Sequence, residues 1–302
     1  MTTRLDYIDM HTAGEPVRIV TRGYPDLGEG SILDKRRKAK DHHDALRRAM
    51  NYEPRGHAGM YGVIPVKPSH PEAVLGVLFT HHEGYSTMCG HATIAIGRYV
   101  IDQGLVEKIE PITRFAIEAP CGLLRLQCTI EQGAVTHVQF ESVPAFPVAF
   151  DRAFDVPSYG SITTDISYGG AFYCILPSSR FGLDFFATPV EHLLDAAAAL
   201  TDHVRATMTF SHPDAADLGF LYGTILTDDA APDDLISILP AFERLGVRVE
   251  INGTSVRVPA GQELVIQNDI GGQIPKIEDG PWPAFPADLT SIALAVATQA
   301  VG

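Results

Sequence analysis

From Arg4 to about Asp228, short apolar or alternating runs recur between Gly, Pro and Asp turns, and this rhythm limits the possible folds more than any other feature. Val74–Thr80, Leu123–Ile130, Val135–Phe140 and Phe172–Leu176 read as strands, being β-branched or alternating and bounded by breakers. Helices interrupt them. Asp34–Met50 is polar and basic. His91–Gln103 carries Ile94, Ile96, Val100 and Ile101 and meets Gly104, a residue suited to end a helix. Val190–Met208 sets Leu193, Leu194, Ala197, Leu200 and Val204 on one stripe, with Thr188 as the expected cap ahead of Pro189. Many strands and few helices predict an α+β fold rather than a doubly wound sheet.

The pattern changes after Asp228. DDAAPDD reads as an acidic linker, Asp233–Leu245 as a helix, and Arg248–Ile251 with Ser255–Val258 as a hairpin turned at Asn252 and Gly253. Asn-Gly is a strong two-residue hairpin signal because both positions tolerate positive φ. A Pro-rich segment and a last apolar helix follow. The 302 residues agree with about two domains.

Charge narrows the choice of partner. With 23 basic and 37 acidic side chains the net charge is −14, which disfavours nucleic acid and anionic membrane surfaces. Lys35, Arg36, Arg37, Lys38, Lys40, Arg47 and Arg48 form a local exception. The first residues, MTTRLDYIDMHT, hold no apolar stretch of the signal-peptide kind, and no run is long enough to span a bilayer, so a cytoplasmic protein is expected. The four cysteines, at 89, 121, 128 and 174, are too few and too scattered for a disulfide framework and read as free thiols.

Chemistry gathers at Cys89, which stands in GYSTMCGHATIAIGRY immediately ahead of an apolar helix. A sulfur there faces backbone N–H groups that have no partner within the helix, a setting expected to lower the thiol pKa and favour thiolate. The same position reads equally as a small buried hydrophobe. Glycine-flanked polar segments at His11–Pro16, Glu53–Gly62, Tyr168–Tyr173 and Ser211–Asp214 could hold a small carboxylate or serve as turns, and His11, His57 and His212 are weighed as structural. The adjacent pairs His42/His43 and His81/His82 would diverge, so no metal site is expected. GxSxG, phosphate-loop and dinucleotide patterns are lacking in the chain.

Seven blocks now carry a resemblance: DMHTAGEPVRIV, EPRGHAGMYGVIPV, EGYSTMCGHATIAIGRY, PCGLL, SVPAF, DISYGGAFY and HPDAADLGFLYGTILTDD. In this order, over about residues 4–228, they resemble the proline racemase family in its trans-3-hydroxy-L-proline dehydratase branch. The resemblance implies a two-lobed fold like that of diaminopimelate epimerase, with the second lobe at about 121–210, and no cofactor. It implies that Cys89 abstracts the Cα proton of an imino acid and that Gly90 and His91 hold the substrate carboxylate through their backbone. A dehydratase then loses the 3-hydroxyl to give Δ1-pyrroline-2-carboxylate. Proline racemase or 4-hydroxyproline epimerase activity is an alternative, and a homodimer is compatible with the family.

The family's second signature, of the form DRSPCGTGT or DRSPTGSGV, does not occur in the chain. Cys121, in PCGLL, belongs to a different block and is weighed as structural. Residues 229–302 instead resemble an internal α/β piece of the inverted barrel of UDP-N-acetylglucosamine 1-carboxyvinyltransferases. The blocks are PDDLISILPAFERLGVRVEING, VPAGQELVIQNDIGG and IPKIEDGPWPAFPADLTSIALAVATQ, with Asp288 at a matching aspartate. The expected organisation is therefore an incomplete racemase-like region, 1–228, joined to an enolpyruvyl transferase-like fragment, 229–302. Three functional readings follow: a dehydratase, a non-catalytic imino-acid-binding remnant, or a chimeric frame without function.

Overall fold

The fold is taken from a computed structural model that describes residues 4–228, 235, 238–252, 255–259, 261–268, 276–277, 293 and 296–301. The chain divides into two compact units: Met1–Leu176 with Thr188–Leu226, and Pro177–Ala187 with Thr227–Gly302.

The first unit begins with β1 (Asp6–Thr12), β2 (Glu15–Arg22), α1 (Ile32–Asn51), β3 (Tyr61–Val66), β4 (Ala73–His81), the short β5 (Tyr85–Ser86) and α2 (Gly90–Asp102). It continues with β6 (Ile112–Ala119), β7 (Gly122–Glu131) and β8 (Ala134–Glu141). These strands make one mixed sheet in the order β1-β2-β3-β4-β6-β7-β8, with β5 on β4. The β2–β3 and β4–β6 pairs are parallel and the other pairs antiparallel. β7 shows why the alternation is legible. Leu124, Leu126, Cys128 and Ile130 are buried, while Arg125, Gln127 and Thr129 between them are not.

α2 packs on β1, β2, β3, β7 and β8, so the sheet wraps from one edge to the other around it. Ala92, Ala95, Ile96 and Val100 disappear into a core with Val17, Ile19, Val63, Phe79, Ile117 and Leu124. Gly104 ends the helix at φ +66°; its N–H donates to Ile101 O and that of Leu105 to Val100 O, the paired bonds of a left-handed helix stop. α1 packs on β3 and β4. It starts two residues earlier than the sequence indicates, because Ser31 and Asp34 cap it reciprocally: Ser31 Oγ accepts from Asp34 N–H and Asp34 accepts from Ser31 N–H.

A four-stranded sheet, ordered β12-β11-β10-β9, follows from β9 (Phe146–Val156), β10 (Gly160–Tyr168), β11 (Phe172–Pro177) and β12 (Leu221–Thr227). α3 (Val190–Thr207) buries Ala196, Leu200 and Val204 and packs on β9. Its cap is Pro189, which makes no side-chain capping bond, so the expectation for Thr188 is corrected.

In the second unit, α4 (Leu239–Arg244) forms a small core in which Ala241 and Leu245 meet Ala293. β13 (Glu250–Asn252) pairs antiparallel with β14 (Ser255–Arg257), Asn252 opposite Ser255, so the expected hairpin is shorter at its open end and Asn252, expected in the turn, is corrected to the last residue of the first strand. Gly253 of its turn, Asp233, most of the Pro-rich segment and Asp288 lie outside the described residues.

Candidate active site

The approach to Cys89 is fixed one residue at a time. β5 pairs with β4, Phe79 opposite Ser86, and delivers Thr87 and Met88 to the start of α2. Thr87 Oγ1 donates to Gly170 O at 2.6 Å, and Thr87 O accepts from the Cys121 N–H at 3.1 Å. Gly170 has φ +90°, and a Cβ on it would stand 2.6 Å from Met88 Cβ, so this crossing needs glycine. One threonine thus joins the loop before β11, the β6–β7 turn and the segment leading to the helix.

Cys89 is the N-cap of α2, with extended backbone. Its carbonyl accepts from Thr93 N–H at 3.0 Å and Thr93 Oγ1 at 2.7 Å. Its side chain is 6 % exposed. Burial pushes the thiol up to about 12; the Ala92 N–H opposes this and the Glu15 carboxylate adds to it. The expectation of a lowered thiol pKa is therefore corrected. Removing the sulfur from water outweighs the helix terminus, because the charged form loses its hydration while only part of the terminal dipole reaches it.

The sulfur nevertheless has polar company. His91 Nδ1 lies 3.4 Å and Nε2 4.0 Å from Cys89 Sγ. The His91 carbonyl accepts from Thr12 Oγ1 at 2.8 Å, which ties this first turn to β1. Gly90 and His91 are the first two helical residues, whose N–H groups have no carbonyl to meet within the helix. The His91 ring stands edge-on to Tyr61, centroids 4.9 Å apart. Tyr61 Oη and Tyr222 Oη share a hydrogen bond of 2.5 Å across 161 residues of sequence. Tyr222 also meets His81 at 5.4 Å and Tyr173 at 5.5 Å, and Tyr61 stacks on His81 at 5.7 Å. Burial pushes the Tyr61 phenol up to about 12 and those of Tyr173 and Tyr222 upward as well. It takes His81 down to about 4, helped by the positive charges of Arg47 and Arg36.

Of the residues singled out in sequence, the structure brings Cys89, Gly90 and His91 together. The others lie elsewhere. His11 Nδ1 accepts from Gly14 N–H in the β1–β2 turn at 3.3 Å. His212 packs on Tyr168 at 4.6 Å and near Phe146. His82 stacks on Tyr52 while His81 turns toward Tyr61, so that pair diverges as expected. Cys121 is 8 % exposed in the core that also holds Cys89, and burial pushes its thiol up to about 12. Tyr61 and Tyr173 stand in two of the glycine-flanked segments offered as possible carboxylate holders but are not named individually by the sequence reading, and Tyr222 and His81 escaped it as site members. Their nearest signal was the position of the three tyrosines in or beside glycine-rich blocks.

The proline racemase model matches residues 7–237. The chain belongs to the proline racemase family. A curated relative from Xenopus tropicalis, named trans-L-3-hydroxyproline dehydratase, is 49% identical over 225 residues, covering 74% of this chain and 65% of the relative. A relative from Burkholderia multivorans (strain ATCC 17616 / 249), named 3-hydroxyproline 2-epimerase, is 40% identical over 230 residues, covering 76% and 68%. The fold is similar to the crystal structure of a probable proline racemase from Agrobacterium radiobacter K84, with a TM-score of 0.70 at 24% identity, covering 76% of this chain and 68% of that one. The chain spans 65% of the length of the first of these relatives. The cysteine-led helix lies within the matched region, whereas residues 238–302 lie beyond it.

Proposed function

We propose that this chain carries the proton-abstracting half of a trans-3-hydroxy-L-proline dehydratase site, a lyase acting on a cyclic imino acid without a cofactor. The single observation that carries the reading is the Cys89 thiol at the head of α2 with His91 Nδ1 3.4 Å away. A Cα proton is weakly acidic, so its removal needs a base over Cα and hydrogen-bond donors where the carboxylate gains charge. The Gly90 and His91 N–H groups are the donors. Cys89 is the base, and His91 takes the thiol proton so that the sulfur meets Cα as thiolate beside an imidazolium. Loss of the 3-hydroxyl then gives an enamine that becomes Δ1-pyrroline-2-carboxylate. The name of the Xenopus relative supports this substrate, and the Burkholderia relative supports a hydroxyproline as the wider class.

The second reading is an imino-acid-binding protein that does not turn over, a homodimer in the cytoplasm. It is favoured by the absence of the second family signature from the sequence and by the 6 % exposure of Cys89. The resemblance of 229–302 to an enolpyruvyl transferase piece rests on its sequence blocks alone.

Incubation in deuterium oxide separates the readings. Exchange at Cα of L-proline and formation of pyrroline-2-carboxylate from trans-3-hydroxy-L-proline, both abolished by Cys89→Ser, are the expected results. A folded chain that does neither, yet is stabilised by pyrrole-2-carboxylate, would establish the binding reading instead.

A further inference from the structure

Elimination of water makes a demand that proton abstraction alone does not. When the Cα–H bond breaks, its electron pair forms the Cα=C3 double bond and expels the group on C3. Hydroxide is a poor leaving group, so an acid must protonate the departing oxygen. Cys89 and His91 are occupied with the Cα proton. The Thr12 and Thr93 hydroxyls beside them each donate to a backbone carbonyl, which leaves the phenols brought from β3 and β12.

We infer that the Tyr61–Tyr222 pair is the acid of the elimination, Tyr61 Oη donating its proton to the departing 3-hydroxyl while Tyr222 Oη donates to Tyr61. This inference rests on the Cys89 reading above and adds a residue to it. Three features of the geometry carry it. Tyr61 is the phenol against His91, at 4.9 Å between rings, and His91 touches the sulfur, so a ligand over Cys89 has Tyr61 at its side. The 2.5 Å bond between the hydroxyls uses one of their two protons and leaves the other free to point outward. Tyr222 is held by His81 and Tyr173, so its hydroxyl stays in place to stabilise the phenolate that Tyr61 becomes.

The proton count closes. The substrate loses a Cα proton to Cys89 and a hydroxide that takes the Tyr61 proton, and leaves as enamine and water. The protein is left with a protonated sulfur–imidazole pair and a Tyr61 phenolate, and one proton passing back through His91 restores both. Inversion at Cα needs no acid at C3, so the pair bears on elimination and not on exchange. It therefore also sets which of the two reactions the site performs.

Tyr61→Phe in the whole 302-residue chain, which removes one oxygen and keeps the ring, tests this. Water loss from trans-3-hydroxy-L-proline is expected to fall at least about 100-fold, with Cα exchange on L-proline retained within about threefold. A 3-chloro analogue, whose chloride leaves without a proton, should be eliminated at close to the wild-type rate. Tyr222→Phe should lower water loss less than Tyr61→Phe does, again sparing exchange. Equal losses of water elimination, chloride elimination and exchange would overturn the inference while leaving Cys89 as base, and so would unchanged water loss in Tyr61→Phe. A wild-type chain with neither exchange nor elimination would overturn the Cys89 reading and this one with it.

Discussion

His91 Nδ1 stands 3.4 Å from Cys89 Sγ, with Cys89 the N-cap and His91 in the first turn of the same helix, so the thiol and the imidazole are carried by one element. Because burial holds the thiol near 12, its reactivity in the empty site should be low at neutral pH and climb with pH well past the usual thiol value of about 8.5. Iodoacetamide labelling of Cys89, with Cys89→Ser as the blank, is expected to rise through pH 10 without a plateau. A plateau centred below pH 8 would mean that the helix terminus and His91 outweigh burial.

All four thiols are raised in the folded chain, Cys89 and Cys121 to about 12 and Cys128 and Cys174 to about 11. The folded state therefore holds these protons more tightly than the unfolded chain. Their contribution is constant below about pH 8.5 and is lost as pH rises from there toward the folded values. Between pH 8.5 and 9.5 each thiol costs up to about 1 kcal/mol. The urea midpoint, measured in reductant, is expected to fall steeply over that unit. An unchanged midpoint would show that these sulfurs reach water.

Gly170→Ala would set a methyl 2.6 Å from Met88 Cβ at a φ that alanine resists. A cost of about 2–4 kcal/mol is expected, with Cα exchange falling by more than the loss of folded protein explains. Thr87→Val keeps the shape but leaves the Gly170 carbonyl without its donor, for about 1–3 kcal/mol. Thermal melts of both variants, normalised against exchange, are the measurement. Melts equal to wild type would show that the loop is not held as described.

His81 bears on acid stability in the opposite sense to the thiols. Its folded value is near 4, so the unfolded chain takes up the proton first, and the stability it lends is complete above about pH 6.5 and lost as pH falls toward 4. His81→Gln is expected to flatten the decline in melting temperature between pH 6.5 and 4.5. An identical slope in the variant would place His81 in contact with solvent.

Much of the first unit was legible because its signals are local. Alternation in Leu123–Ile130 marked β7, and the apolar run closed by Gly104 marked α2, with Cys89 at its head. Thr188 had the right chemistry for a cap, yet the chain enters α3 with Pro189 at that position. The parallel pairings β2–β3 and β4–β6 and the wrapping around α2 depend on contacts between distant segments and leave no periodic trace. Tyr61 and Tyr222 were not paired for the same reason, since they meet across 161 residues of sequence, from strands of two different sheets. The thiol pKa was misjudged because sequence shows the helix terminus but not the depth of burial, and depth decided the sign.

Thr87 leaves the sulfur no independent suspension. Its hydroxyl and carbonyl hold segments from two sheets, and Met88 beside it is wedged against Gly170. Any displacement of the 169–171 loop must therefore be felt at the head of α2, and the placing of the sulfur can be altered from residues that never touch it.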